Sequence, residues 1–324
     1  MKPKCLITLE LPEDIRAPLE ARYDVMNWVG PEKRSEAALQ HGLAEARGLL
    51  CALSKPISAS LLEGANALKV ISTISVGVDH IDLSAATRQG IAVGHTPGVL
   101  VDSTADLALA LMLATTRRVA EADRWVRGAN WTQGWQSDLL LGTDLSQATV
   151  GVVGLGPIGQ AVVRRLAGFG ARILSWNRTN RPLAGTESVD LDRVFAESDI
   201  VTLHTALTAE TTHIASRARL ASMRDGATLI NTGRGPLVDE TALVDELQSG
   251  RLRAGLDVFQ IEPLPVDHPF LGLDNVVLLP HVGSATASTR QAMVARALEN
   301  LHAGIAGERV PYCANPEVYG LSDP

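Results

Sequence analysis

The strongest constraint on this chain is one unbroken stretch, Thr149-Val-Gly-Val-Val-Gly-Leu-Gly-Pro-Ile-Gly159, followed by a helical run and Ile173-Leu-Ser-Trp-Asn-Arg-Thr179. An apolar strand enters Gly154-x-Gly156-x-x-Gly159. A helix pattern follows, with Ile158, Ala161, Val162 and Leu166 on one face, and a second short strand closes the unit. That order of strand, glycine turn and helix turns an otherwise weak pattern into a dinucleotide-binding unit. The glycines serve a tight turn, close approach of backbone to pyrophosphate, and close helix–strand packing. The phosphates then sit at the helix N-terminus, beside Pro157 and Ile158. Where an NAD site wants a carboxylate for the ribose hydroxyl, the chain has Asn177, then Arg178 and Thr179.

The chain has 324 residues, which is long enough for two domains, because single cores seldom grow past roughly 250–300 residues. It is 46% hydrophobic with 4% aromatic residues, so its apolar mass is mainly aliphatic. That composition suits helices packed on parallel sheets, whose strands read as continuous aliphatic runs. A net charge of −7 argues against nucleic acid or a membrane surface as the main partner. Cys5, Cys51 and Cys313 are widely separated and form no C-x-x-C pair, which excludes an evident metal or disulfide framework. With no signal peptide and no long uncharged apolar run, the sequence predicts a soluble cytoplasmic protein that binds no metal.

Before the glycine loop the chain already alternates strand and helix. Cys5-Leu-Ile-Thr-Leu9, Tyr23-Asp-Val-Met26, Gly48-Leu-Leu-Cys-Ala-Leu53, Lys69-Val-Ile-Ser-Thr-Ile74 and Gly90-Ile-Ala-Val-Gly94 read as strands, and Pro12 to Arg22 as a helix. Asp102 to Gly128 reads as one long helix, with Leu107, Leu111, Ala114 and Val119 apolar. The segment from Ala129 through Asp144 is irregular and carries Trp131 and Trp135. The last element, Ala285 to Gly307, is an amphipathic helix with Val294, Leu298, Leu301 and Ile305 on a face, placed to return to the first domain.

Three apolar runs in the second half end on reactive residues. Ala227-Thr-Leu-Ile-Asn-Thr-Gly233 ends at Arg234, Ala254-Gly-Leu-Asp-Val-Phe259 leads to Glu262, and Val276-Val-Leu-Leu-Pro280 ends at His281. Ligands of open α/β sheets bind outside the carboxyl ends of the strands. Taken singly, each residue reads as a capping, solvated or structural side chain. Their shared placement beside a dinucleotide motif reverses that reading. A guanidinium forks a substrate carboxylate, and a histidine oriented by a carboxylate passes a proton near neutral pH. Together with a hydride source they would reduce a carbonyl to an alcohol.

In order and spacing, Gly154-x-Gly156-x-x-Gly159, Asn231-Thr-Gly-Arg-Gly235, Leu256-Asp-Val-Phe-x-x-Glu-Pro263 and Leu279-Pro-His-Val-Gly-Ser284 resemble the D-isomer-specific 2-hydroxyacid dehydrogenase family over nearly the whole chain. Ile74-Ser-Val-Gly-Val-Asp-His80 and the tryptophan segment most resemble its glyoxylate/hydroxypyruvate reductase branch. The resemblance implies an α/β fold of two Rossmann-like domains with parallel sheets and an active site in the interdomain cleft. The flavodoxin-like substrate domain would be discontinuous (1–98 and 287–324), and the dinucleotide domain would span 99–286. It further implies that Arg234 binds the substrate carboxylate, His281 gives the proton and Glu262 pairs with His281. Val76, Gly77 and Ser284 would contact substrate, with backbone N–H groups supplied by the first two. Asp257 would lie near the nicotinamide carboxamide, with Thr104, Ala206, Thr232 and Gly283 lining the cofactor. Trp135, or next Trp131, would reach across a homodimer interface to the neighbouring pocket; both tryptophans also fit ordinary interface or core anchors.

The chain departs from that family at three places. Pro157 replaces a frequent basic residue, Ala206 a common proline, and His95 a frequent asparagine; a structural role in the turn is the expectation for His95. Asn177 does not repel a 2′-phosphate and Arg178 can pair with it, so NADP(H) is favoured, with NAD(H) as the alternative. The expected activity is NADPH-dependent reduction of small 2-keto acids such as glyoxylate and hydroxypyruvate to D-2-hydroxy acids. The alternatives are a 2-ketogluconate-type reductase, another D-2-hydroxyacid dehydrogenase or, from a different class, a cofactor-sensing binding protein of corepressor type.

Overall fold

A computed structural model describes residues 1–29, 35–53, 55–179 and 182–320. Residues 30–34, 54, 180–181 and 321–324, which fall inside the segments predicted as domains, lie outside the described residues. The chain divides into two compact units, Met1–Leu100 with Thr286–Pro324, and Val101–Ala285.

The first unit is built on a parallel sheet of β1 (Lys4–Ile7), β2 (Asp24–Asn27), β3 (Gly48–Cys51), β4 (Val70–Thr73) and β5 (Ala92–Gly94), in the order β2-β1-β3-β4-β5. Alternate residues of the strands feed two cores, as a strand buried on both faces requires. Leu6, Leu49, Ile71 and Val93 join one, while Cys5, Ile7, Leu50, Val70 and Ala92 join the other. The helix Ala287–Ala306 packs on the second face through Met293, Ala297, Leu301 and Ile305. Burial of a Met, Leu or Ile side chain of this kind contributes about 1.5–3 kcal/mol. Asn300 and Asn315 stitch the end of the chain in: Asn300 Nδ2 donates to His95 O at 2.9 Å, and Asn315 Oδ1 accepts from Val93 N at 2.7 Å.

The second unit is a parallel sheet of β6 (Thr149–Val153), β7 (Arg172–Trp176), β8 (Glu187–Ser188), β9 (Ile200–Leu203), β10 (Thr228–Asn231), β11 (Arg253–Leu256) and β12 (Val276–Leu278), in the order β12-β11-β10-β9-β6-β7-β8. The two directions of winding meet at β6, the strand that carries the glycine loop, where open α/β sheets bind ligands. Register decides what stands there. Val153 pairs with Leu203 and with Trp176, Leu203 with Asn231, Asn231 with Leu256, and Leu256 with Leu278. The strands therefore end in a row, and the loops that follow leave from one edge.

The predicted single helix over 102–128 is two helices, Val101–Thr116 and Val119–Arg127. The first buries Ala105, Ala108, Leu111 and Met112, whereas the second buries no residue and has no core to follow. Between them Arg118 takes a left-handed backbone (φ 54°), a conformation that costs a non-glycine residue about 1–3 kcal/mol. Its guanidinium grips both oxygens of Glu121, at 2.7 and 2.6 Å, and holds the break. Among the described residues no helix is long and apolar enough to cross a membrane, and no group of three or more His, Cys, Asp and Glu could hold a metal ion.

Candidate active site

The glycine loop is shaped by contacts that leave no room for side chains. Gly154 has φ 98°, and a Cβ on Gly159 would lie 2.0 Å from the Gly154 carbonyl oxygen. A Cβ on Gly156, by contrast, would meet nothing within 4 Å, so this backbone faces open space at the start of the helix Pro157–Leu166. Asn177 is committed to the loop: Oδ1 accepts from Leu155 N at 3.1 Å, and Nδ2 donates to Thr179 O and Oγ1, both at 2.9 Å. Arg178 and Thr179 are exposed beside it. Glu210, held below the usual carboxylate range chiefly by a hydrogen bond with Thr208, also feels the Arg178 charge.

His204 follows β9, and sequence reasoning gave it no role, although Ile200-Val-Thr-Leu203 is one more apolar run with an ionisable residue after it. Its backbone carbonyl carbon and oxygen stand 2.8 Å from where a Gly154 Cβ would be. Burial of the ring pushes its pKa down to about 4, so it is neutral at physiological pH. Ala206 is exposed, and its carbonyl accepts from Thr211 Oγ1 at 2.7 Å.

At the end of β10 the buried Asn231 folds the chain back. Its Oδ1 accepts from Gly233 N at 3.0 Å and its Nδ2 donates to Arg234 O at 2.8 Å. Arg234 is partly buried, and its Nη1 donates to Gly233 O at 3.0 Å. After β11, Asp257 is 1% exposed and clamps the turn following β12: Oδ1 accepts from Val282 N at 2.7 Å and Oδ2 from Gly283 N at 2.8 Å. Burial raises its pKa against those two N–H groups. Thr104 Oγ1 adds a bond to Gly283 O at 3.3 Å, and Ser284 is partly buried beyond it.

The clamp fixes His281 in a left-handed conformation (φ 55°), with its N–H donating to Asp257 O at 2.9 Å. His281 Nδ1 lies 2.7 Å from Glu262 Oε2, and Glu262 Oε1 accepts from Phe259 N at 3.0 Å. Burial pulls the Glu262 carboxyl upward. The His281 hydrogen bond, the Phe259 N–H and the charges of His281 and Arg234 outweigh it, and the net effect lowers its pKa. A carboxylate only accepts, so Nδ1 carries a hydrogen and Nε2 is the nitrogen left to exchange a proton.

In the other unit, the Val76–Gly77 turn is braced from its own side chains. His95 Nδ1 donates to Val76 O at 2.8 Å and Ser75 Oγ to Gly77 O at 2.8 Å, so His95 does hold the turn. Trp131 and Trp135 are 58% and 88% exposed, which excludes them as core anchors of this chain.

A nicotinamide dinucleotide fits the residues present. Gly156 offers open backbone to a phosphate, and the buried hydroxyls Thr205 Oγ1 and Thr232 Oγ1, at the ends of β9 and β10, have no hydrogen-bond partner among the described residues. Buried polar atoms left so cost about 1–3 kcal/mol each, a cost that a bound ligand removes. Residues 109–283 match the D-isomer specific 2-hydroxyacid dehydrogenase, NAD binding domain, family. The chain is also 41% identical to a glyoxylate reductase of Korarchaeum cryptofilum, covering 100% of this chain and 99% of that one. The protein belongs to the D-isomer-specific 2-hydroxyacid dehydrogenase family.

As a D-2-hydroxyacid dehydrogenase it is an NAD(P)-dependent oxidoreductase that acts on a CH–OH group, and it resembles the glyoxylate/hydroxypyruvate reductase branch. A glyoxylate reductase/hydroxypyruvate reductase of Mus musculus is 44% identical over 96% of this chain and 98% of its own. The solved NADPH-dependent glyoxylate/hydroxypyruvate reductase of Sinorhizobium meliloti, in complex with NADP and malonate, superposes with a TM-score of 0.87 at 32% identity and covers 98% of each chain. Both parallel sheets described above belong to the two-domain fold of such dehydrogenases.

Proposed function

We propose that this dehydrogenase reduces small 2-keto acids, glyoxylate and hydroxypyruvate foremost, to D-2-hydroxy acids with NADPH. The observation that carries the reading is the 2.7 Å contact of His281 Nδ1 with Glu262 Oε2, in a loop cluster where Glu262 also feels the Arg234 charge. When bound, the cofactor supplies the hydride to the carbonyl carbon. Arg234 forks the substrate carboxylate and orients the keto group. His281 gives a proton from Nε2 to the carbonyl oxygen, while Glu262 retains the Nδ1 hydrogen and keeps the ring aimed. Val76 and Gly77 offer backbone N–H groups to the substrate and Ser284 adds a further contact, while Trp135 reaches across the homodimer interface to the pocket of the neighbouring copy. The activities named for the relatives support this substrate class.

The cofactor's phosphates belong on Gly154, Gly156, Pro157, Ile158 and Gly159, and Thr104, Ala206, Thr232, Asp257, His281 and Gly283 line the rest of its path. Because the Asn177 amide is spent on Leu155 and Thr179, recognition of a 2′-phosphate falls to Arg178 and Thr179. The absence of a carboxylate at position 177 supports NADPH over NADH. The exposed apolar side chains Val119, Trp125, Val126, Trp131, Trp135 and Leu141, all within 119–141, support a homodimer formed through this segment. Free thiols at Cys5, Cys51 and Cys313 suit a reducing compartment, the cytosol.

The test is the decay of NADPH absorbance on adding glyoxylate, hydroxypyruvate or 2-ketogluconate, with NADH in parallel. Arg178→Ala is expected to weaken NADPH about tenfold or more, the worth of one charge-assisted contact, and to leave NADH nearly unchanged. Equal losses for both cofactors overturn the NADPH assignment. No turnover of any small 2-keto acid overturns the reductase reading in favour of a binding protein.

A further inference from the structure

The Glu262 carboxylate can hold His281 only if the backbone of Phe259 to Glu262 stays where it is, since one of its oxygens is bonded to the Phe259 N–H of that same loop. The next N–H of the loop, from Gln260, goes to Glu240 Oε2 at 3.0 Å. Glu240 opens the helix Glu240–Gln248, a short way along the chain from Arg234. The two loops already touch there: a Cβ on Gly235 would lie 1.9 Å from the Phe259 carbonyl carbon.

Behind Glu240 stands a second histidine–carboxylate pair. His268 Nε2 lies 3.3 Å from Glu240 Oε1, with side chains 14% and 19% exposed. His268 Nδ1 accepts from Phe270 N at 3.2 Å, and the ring packs on Phe270 with centroids 4.5 Å apart. A nitrogen that accepts an N–H carries no hydrogen, so neutral His268 has its hydrogen on Nε2, directed at Glu240. The pair needs no protonation to hold, and it leaves Glu240 Oε2 for Gln260.

We infer that Glu240, backed by His268, is a positioning residue: it fixes the Gln260 backbone and through it the aim of Glu262 at His281. This rests on the reading that Glu262 and His281 handle the proton. The consequence is that Glu240 acts on turnover only through Glu262.

A double-mutant cycle tests it on the full-length enzyme, with kcat and KM for glyoxylate reduction by NADPH measured for Glu240→Ala, Glu262→Gln and the pair. Glu240→Ala is expected to lower kcat about 10- to 100-fold with KM within about threefold, and to cost nothing further in the Glu262→Gln background. Glu240→Gln, which keeps an acceptor for Gln260 but cannot accept the His268 hydrogen while its own NH2 faces that ring, is expected to lose less. It replaces Glu240→Ala in the cycle if that variant does not fold. Losses that multiply across the pair, or a wild-type kcat for either Glu240 variant, overturn the inference. Full activity in both Glu262→Gln and His281→Ala overturns instead the reading on which it rests.

Discussion

One carboxylate connects His281, the proposed proton donor, to its scaffold. Glu262 accepts from Phe259 N with one oxygen and meets His281 Nδ1 with the other, and an amide in its place cannot accept both hydrogens. Glu262→Gln is therefore expected to lower kcat about 10²-fold, within the range usual for general acid–base machinery, with a smaller change in KM. The same residue makes a statement about stability. Its folded pKa lies below the ordinary glutamate value of about 4.5, so its ionised form stabilises the fold at pH values above that; the contribution is lost as pH falls through the lowered value. Urea unfolding of wild type and Glu262→Gln at stepped pH should show a gap that is constant near neutrality and closes only below about 4.5. A gap that persists unchanged to pH 3 contradicts the pairing.

Among the elements, the β10 and β11 exits form a tight joint, because the Gly235 backbone lies against Phe259 and Gln260. Gly235→Ala pushes a methyl into main chain that cannot yield, so a loss of at least about 1–3 kcal/mol is expected in denaturant unfolding. Turnover should fall further than stability alone explains, since Arg234 and Glu262 move apart; unchanged kcat argues that the joint does not align them. The inner strands of both sheets were legible in the sequence because they are buried on both faces and read as aliphatic runs, Val150 to Val153 and Thr228 to Ile230 among them, whereas the exposed two-residue β8 gave no such run. Arg234, Glu262 and His281 were legible as residues at the ends of such runs. Glu240, His268 and Asn231 were not, because what they do depends on which loops the sheet brings side by side, and no local pattern encodes that. The break at Arg118 was hidden for a related reason: no glycine or proline marks it, and the second helix keeps a helical pattern while losing its core.

For the whole molecule, the exposed face of the helix Val119–Arg127 and the tryptophans after it set the expected assembly. In the proposed homodimer Val126, 55% exposed in the single chain, is expected to be buried between copies; Val126→Glu should raise the dissociation constant of that dimer at least about hundredfold by leaving a charge desolvated, and a monomeric wild type overturns the proposed assembly. Light scattering behind a sizing column checks it, with circular dichroism as the folding control. A wild-type mass for the variant at micromolar concentration moves the interface elsewhere. The placement of the helix Ala287–Ala306 in the first unit has a different consequence, in the order of biosynthesis. On the ribosome, the segment through Leu100 emerges with β1 to β5 but without Met293, Ala297, Leu301 and Ile305, which cover one face of that sheet. Val101–Ala285 is complete before those residues are made. The lobe begun first is thus finished last, and its half-built sheet must remain clear of wrong partners until the final helix is translated.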